Sequence, residues 1–519
     1  MGKLGQMVVG KWLLAVGVAA GAFGEMAPRP GWEQPAIQLQ VGPLRTVASD
    51  VLAFARELFP EQSIQVASLV LVGLWGYPEF PGLSQSDPVN IFLFPTKENG
   101  YDWIACARMD DGGAIRSSLS LQNLSTKEVG DWTVIGSREE PLATAVKNGP
   151  GGALLALAAR PLQNDFRLDV HPDLVERFLV THGKALWGNF VEKGERSGHL
   201  PSLPRPNLLE NFAQQIEGLS AVGDFRGKTF LGSLRLSARE GSDLAHVLCA
   251  PEKQIGPLHI AKALPASGQF QLLFRCDPEK LCQTLKLCLN HCIGGDLCGV
   301  SEQEICNFLE EVFSRFAGTV ASRSSADGTV RRLIAIDVGR KRLGDWAEFV
   351  CERLIPALTA QAGPLPLGMD FQLSATADRE AFHHRGIPAV SITVQAEGFF
   401  SAPGEEGPEQ IPFSSRDQFF FCSLGNAIAM ANDEKALRET VDDFLNGGPT
   451  GPSFAEAMPF GPDAVARAHV DLLELFGLEG QGKGIDLIVR FREGSAVIDF
   501  SLDGGDLGVV LRATGDPCE

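Results

Sequence analysis

Six of the chain's eleven cysteines lie between residues 276 and 306, in the stretch CDPEKLCQTLKLCLNHCIGGDLCGVSEQEIC. No other feature constrains the fold as much, because cysteines at that density act as staples, metal ligands or a redox centre, and each implies a different architecture. The stretch reads as helical on both sides of a glycine loop. Asp277 can cap, Pro278 suits a first turn, and Leu281, Leu285, Cys288 and Cys292 recur on one helical face. Gly294 and Gly295 stop that helix, and Ser301 with Glu304 forms a capping box for a second one. The spacing predicts a helical hairpin with cysteines on both arms and in the turn.

Cys288, His291 and Cys292 fall within one turn, and Cys298 follows the glycine loop, a set that zinc can use. The intervening spacings are five, five, three, five and seven residues, with no C-x2-C knuckle and no C-x-x-C redox pair. Zinc ribbons, iron-sulfur sites and thioredoxin-like centres usually need such pairs. The expectation is therefore a hairpin stapled by disulfides among Cys276, Cys282, Cys288, Cys292, Cys298 and Cys306, with no metal site and no cofactor. Connectivity stays open, and an odd total leaves at least one cysteine free or intermolecular.

That reading leans on compartment, since disulfides persist where thiols are not kept reduced. Lys3 and Lys11 precede the apolar run WLLAVGVAAGAFG, and Ala22-Phe23-Gly24 places small residues where a signal peptidase inspects the chain. Export with removal of residues 1–24 follows as the expectation, to a secreted or periplasmic location. No cysteine precedes Cys106, so a lipidated cysteine does not end the signal. No later stretch is apolar enough to cross a bilayer as a helix.

A chain of 519 residues exceeds what one core serves, so several domains are expected. Strands are read at 90–94, 103–107, 132–135, 419–422 and 427–430, and helices at 47–58 and around Leu437, Val441 and Phe444. A strand, a cap, a helix and a glycine stop follow in order over 131–149 and again over 419–447. A shorter echo links Pro161 and Asp165–Leu168 with Pro366 and Asp370–Leu373, each followed by a helix, and a looser one reaches Phe270–Phe274. Residues 465–476 read as a helix. Ile485–Phe491 and Ala496–Leu502 alternate as two strands with one dry face, and Asp503-Gly504-Gly505-Asp506 turns the chain towards Val509 and Leu511.

The fold class expected is α+β, with antiparallel sheets carrying helices on one face, built from degenerate duplicated units and stapled at the cysteine hairpin. The expected divisions are a signal at 1–24, α+β units at 25–150 and 151–255, a cysteine-rich α+β domain at 256–446, and a helix plus meander at 447–519.

Chemistry is sparse. Acidic residues number 64 against 45 basic ones, for a net charge of -19, which repels phosphate backbones and argues against nucleic acid. There is no phosphate loop, dinucleotide fingerprint, H-E-x-x-H or G-x-S-x-G. The remaining candidates each have a structural reading. His383-His384 point apart and read as loop residues, His171 as a helix start, His246 as a neighbour of Cys249, and Asp110-Asp111 as a turn. Asp503 and Asp506 lack the further oxygens of a calcium loop, and Gly339-Arg340-Lys341-Arg342 solvates a turn. No catalytic residue is assigned. The function this leaves is an exported, non-catalytic binding or envelope-assembly protein with a protein or small-molecule partner. A hydrolase with dispersed residues and an apolar-ligand or lipid binder are the alternatives.

Overall fold

The computed structural model describes residues 35–58, 84, 86–95, 101–109, 125–136, 142–143, 153–176, 213–249, 258–264, 269–275, 307, 318–326, 329–337, 347, 351–352, 369–404, 407–449, 451, 453–458, 464–476, 478 and 482–514. Among the described residues strand far outweighs helix. The α+β expectation is therefore corrected: the architecture is mostly β, organised on one large antiparallel sheet.

The first eight strands are β1 (Ile37–Val41), β2 (Val89–Pro95), β3 (Tyr101–Arg108), β4 (Ser125–Val129), β5 (Trp132–Gly136), β6 (Phe166–Val170), β7 (Ile216–Arg226) and β8 (Thr229–Ala238). The next ten are β9 (Phe270–Arg275), β10 (Gly318–Ala326), β11 (Thr329–Asp337), β12 (Met369–His384), β13 (Ile387–Gly404), β14 (Gly407–Leu424), β15 (Ala427–Ala431), β16 (Ala464–Val470), β17 (Ile485–Arg492) and β18 (Ser495–Asp503). Helices are α1 (Leu44–Leu58), α2 (Ala153–Ala158), α3 (Asp243–Val247), α4 (His259–Ala263), α5 (Glu434–Leu445), α6 (Phe454–Ala457), α7 (Leu472–Leu475) and α8 (Gly504–Thr514).

Antiparallel pairing runs without a break from β4 through β5, β3, β2, β1, β6 and β7 to β8. It then crosses to β18 and continues through β17, β16, β9, β10, β11, β15, β14 and β13 to β12. The pairing on one side of the β8–β18 contact is repeated on the other. β1 lies between β2 and β6 as β9 lies between β10 and β16, and β5 joins β3 to β4 as β15 joins β11 to β14. Among the described strands, only β12 and β13 have no counterpart.

Local detail repeats as well. Gly130 and Gly425 both adopt φ 63 in the β4–β5 and β14–β15 turns, a left-handed conformation that favours glycine. His171 N–H donates to Ala36 carbonyl at 2.8 Å, and Asp471 N–H to Gln269 carbonyl at 3.0 Å, tying the ends of β6 and β16 to the starts of β1 and β9. The sequence echo between 131–149 and 419–447 falls on β5 and β15, which hold equivalent places. The echo between 165 and 370 does not, since Phe166–Val170 is the interior strand β6 whereas Met369–His384 is the sheet's end strand β12.

β8 and β18 pair in register from Thr229 with Asp503 to Ser237 with Ser495. Both strands leave a two-residue turn, and the fifth residue of each, Ser233 and Asp499, face one another. The contact is thus isologous within one chain, with a pseudo-twofold axis through that pair.

Alternation along the strands gives the sheet two different faces. On one face, buried Phe92, Phe94, Ile104, Cys106 and Val134 of β2, β3 and β5 pack with Leu154, Leu155 and Ala158 of α2. On the same face of the other half, Ala427, Ala429, Ala431 and Cys422 pack with Leu437 and Val441 of α5 and Phe454 of α6. The opposite face takes α1, whose Val47 and Val51 meet Leu39, Val41 and Val89, and α7 with α8, where Leu472, Leu473 and Val510 meet Val470, Ile485 and Leu502. Near the axis on that second face, Phe54, Phe166, Phe225, Phe230 and Phe500 form a ring cluster with centroid separations from 4.8 to 6.0 Å.

Three local expectations are corrected. Residues 464–470 are strand β16 rather than helix, with only Leu472–Leu475 helical. The helical propensity of the alanines there is overridden by ladders to β9 and β17 on either side. Residues 378–382 continue strand β12 instead of forming a helix. Beyond Asp503 the chain becomes α8, because the Asp503 carboxylate accepts from Gly505 and Asp506 N–H at 2.9 and 3.3 Å and so caps a helix start.

The disulfide-stapled hairpin is also withdrawn. No disulfide is present among the described residues, and none is formed by Cys106, Cys249, Cys351 or Cys422. Cys106, Cys422 and Cys351 sit in three separate apolar clusters, where each serves as packing. Burial pushes the Cys106 and Cys422 thiols up to about 12, which keeps them neutral packing groups. Cys276, Cys282, Cys288, Cys292, Cys298 and Cys306 lie outside the described residues.

Candidate functional site

Between the two helix-covered lobes, the first face of β6, β7, β8, β18, β17 and β16 is lined by polar side chains. The register places them in rows across the sheet. One row holds Asp224, Leu231, Ser501, Asp486 and His469. The next runs Arg167, Val222, Ser233, Asp499, Ile488 and Arg467, and reads nearly the same from either end. The third holds Asp169, Ser220, Arg235, Val497 and Arg490. Sheet geometry puts successive strands about 4.8 Å apart. Arg167 and Arg467 therefore stand roughly 24 Å apart on either side of the axis.

A pocket of about 300 Å³ opens on this surface, with Asp224, Ser233, Asp486, Asp499 and Ser501 on its polar walls and Val222, Leu231 and Ile488 on its apolar floor. Asn164 and Arg226 complete one side. The carboxylates are held by cations. Arg226 Nε donates to Asp224 Oδ2 at 2.6 Å, and Arg490 donates to Asp499. Asp486 Oδ1 lies 3.1 Å from His469 Nδ1 and 3.9 Å from an Arg467 nitrogen. Beside the pocket, Arg167 grips Asp169 with two bonds, 2.8 and 3.1 Å, the planar fork that suits a carboxylate.

The His469 hydrogen bond, reinforced by the nearby charges of His469 and Arg467, holds the Asp486 carboxyl below the usual range despite partial burial. Asp165, at the end of the acidic row, is shifted the other way. Burial, with the charges of Asp224 and Asp50, raises it against the hydrogen bond it accepts from Phe225 N–H at 2.6 Å. The surface can thus present oriented carboxylates, guanidiniums and hydroxyls to a polar ligand. It does not assemble a hydrolytic relay, in which a histidine must bridge the serine and the acid. Here Asp486 occupies the strand between His469 and Ser501.

The candidates drawn from sequence lie elsewhere. His384 Nε2 meets Asp442 Oδ1 at 2.8 Å and Arg438 lies 3.2 Å from its Nδ1, while Arg385 joins the same Asp442 at 2.8 Å. That network fastens the β12–β13 turn to α5, and Arg438 stacks over Phe382 at 4.2 Å. His383 is exposed beside it. His171 Nδ1 accepts from Asp173 N–H at 3.3 Å at a short helical turn. His246 is exposed in the last turn of α3, and Cys249 Sγ donates to Ala245 carbonyl. Asp503 caps α8, and Asp506 accepts from Gly484 N–H at 2.7 Å, so both carboxylates serve the backbone. No group of three metal-binding side chains occurs among the described residues. Asp110, Asp111, Gly339–Arg342, Cys288, His291 and Cys292 lie outside them.

Sequence reading missed Arg167, Ser233, Arg235, Arg467, His469, Asp486, Arg490 and Asp499. The signal was present in the same alternation that marked the dry face of 485–502, since the intervening positions Asp486, Arg490, Asp499 and Ser501 form the wet one. No helix among the described residues is long and apolar enough to cross a membrane.

No family model matches the chain, and no curated protein matches it. Among solved structures, crystal form I of TP0453 is similar at 10% identity over 43% of this chain and 80% of that one, with a TM-score of 0.20. Likeness at that level carries no argument about fold or site.

Proposed function

We propose that the protein is an exported, non-catalytic binding protein whose recognition surface is the polar groove at the pseudo-twofold axis. The observation that carries this reading is the pocket at Ser233 and Asp499, where carboxylates already oriented by arginine and histidine surround an aliphatic floor. Preorganised polar groups on rigid strands lower the ordering cost of binding, which is what a recognition site requires. The basic residues and apolar run ahead of Gly24 support the exported location.

A thermal-shift screen of polar small molecules tests it, run on the full chain, on Ser233→Trp, which fills the pocket, and on Ser233→Ala as a control for folding. Compounds that stabilise the wild-type chain and Ser233→Ala, and no longer stabilise Ser233→Trp, are the expected result. If nothing stabilises the wild-type chain, or Ser233→Trp responds equally, the groove is not the site.

A further inference from the structure

The axis relates the two ends of the groove, yet their charges are opposite. Counting back from the hairpin turns, Arg226 corresponds to Arg492, Asp224 to Arg490 and Ser220 to Asp486; counting forward, Ser233 corresponds to Asp499 and Arg235 to Ser501. One end therefore gathers Asp224, Asp486 and Ser501, and the equivalent places at the other hold Arg490, Ser220 and Arg235. The two ends are about 14 Å apart, four residues along β8 at about 3.4 Å each. Across the groove as a whole, Arg167, Arg226, Arg235, Arg467, Arg490 and Arg492 face Asp165, Asp169, Asp224, Asp486 and Asp499, a small positive excess on a chain whose net charge is -19.

Arg235 is the centre of that excess. It is exposed, and its Nη2 donates to Ser495 Oγ at 3.2 Å, with Ser495 in turn 3.3 Å from Ser237 Oγ. Ser495 is only 2% exposed, so the anchor that aims the guanidinium is rigid while its outer N–H groups reach solvent. Among the described residues no carboxylate lies within ion-pairing distance of Arg235. Arg490 stands two strands away in the same row, about 10 Å distant at the backbone, and exposed Arg492 aligns with Ser495 one row further on. Arg490 is already engaged by Asp499, and Asp169, two strands away on the other side of the row, by Arg167, which leaves the outward guanidinium fork of Arg235 beside exposed Arg492 and a serine pair with the chemistry to bind a planar or tetrahedral oxyanion through paired N–H donors.

We propose that this end of the groove is an oxyanion subsite, taking a carboxylate or phosphate group of a small ligand whose body extends over Ser233 towards the acidic end. The inference rests on the groove reading and adds the ligand's chemical class and orientation.

The test is isothermal titration of the full chain with inorganic phosphate and with citrate at matched ionic strength, on wild type, Arg235→Ser, Ser233→Trp and Lys435→Ala. Arg235→Ser installs the residue that the other half carries at the same place, and Lys435→Ala removes one exposed charge on α5, outside the groove. A charge-assisted pair is lost in the first, so binding weakens about tenfold or more, and it is unchanged in the last. The stronger of the two probes shows whether the site prefers a phosphate or a carboxylate. Equal affinity for wild type and Arg235→Ser, equal losses in Arg235→Ser and Lys435→Ala, or no binding of either anion to wild type overturns the subsite. Loss in Ser233→Trp with Arg235→Ser unaffected would leave the groove reading standing and remove only the subsite.

Discussion

Gly232 sits at the pseudo-twofold joint under the ring of Phe500, and a Cβ added there would lie 2.2 Å from Cζ and 2.6 Å from Cε1, where ordinary contacts begin near 3.4 Å. Gly232→Ala therefore forces the ring to move by more than an ångström. The ring is not free to do so, because its centroid is 5.8 Å from Phe230, which lies 4.8 Å from Phe225, itself 5.4 Å from Phe54 of α1. Overpacking of this kind costs about 1–3 kcal/mol. Alanine recovers roughly 0.5–1 kcal/mol over glycine within a strand. Because the ring is hemmed in, the upper part of that range, about 2–3 kcal/mol, applies and the expected net loss is about 1–2 kcal/mol, read as a lower urea midpoint with unchanged slope for the transition that reports the central strands. Phe500→Leu removes the obstructing ring, and leucine already stands at the equivalent position, Leu234. The double variant Gly232→Ala/Phe500→Leu should then be more stable than the sum of the two single losses implies. Wild-type stability in Gly232→Ala, or strictly additive losses, would refute the packing argument.

Three further outcomes follow from the same structure. Cys106 and Cys422 should resist alkylation in the native chain and react on unfolding, as peptide mapping by mass spectrometry would show; because folding raises both thiols from 9.0 to about 12, their contribution to stability holds below about 9 and is lost as pH rises through the folded value. His469→Ala removes the bond that most lowers the Asp486 carboxyl, a stabilisation present above the ordinary value of 3.8 and lost as pH falls through the depressed one, so acid unfolding followed by circular dichroism should begin at higher pH in the variant. Asp503→Ala takes the cap from α8 and the partner from Lys483, and should cost about 1 kcal/mol, with hydrogen exchange rising first in Gly504–Thr514.

Much of the fold was legible where one face of an element is dry. The alternation of Ile485–Phe491 and Ala496–Leu502 gave β17 and β18, and Leu437, Val441 and Phe444 gave α5, because burial on one side imposes its period on the sequence. What failed were segments whose neighbours decide their state. Ala464–Val470 is held as strand by ladders on both sides, and Gly504–Thr514 is made a helix by a cap that reads equally well as a turn. The site was hidden for a different reason. Ser233 and Asp499 are 266 residues apart, and only the β8–β18 register brings them together. Charged residues alternating with aliphatic ones are the ordinary outer face of a strand, and nothing local distinguishes a solvated face from a groove shared by two halves. The cysteine stretch is a dense local pattern, whereas the polar surface depends on long-range pairing.

The groove, its axis and its pocket all depend on that β8–β18 pairing. Replacing Ser233 and Asp499 together by cysteine, oxidising the full chain and mapping the peptides tests it most directly, with Ser233→Cys/Val497→Cys as the off-register comparison. Opposed positions on adjacent antiparallel strands bring Cβ atoms within about 4.5–5.5 Å, close to what a disulfide spans. A 233–499 crosslink is expected in the folded chain, with little or none between 233 and 497. Efficient crosslinking at 233–497 with none at 233–499 would contradict the register, and with it the axis, the pocket and the charge reversal between its ends.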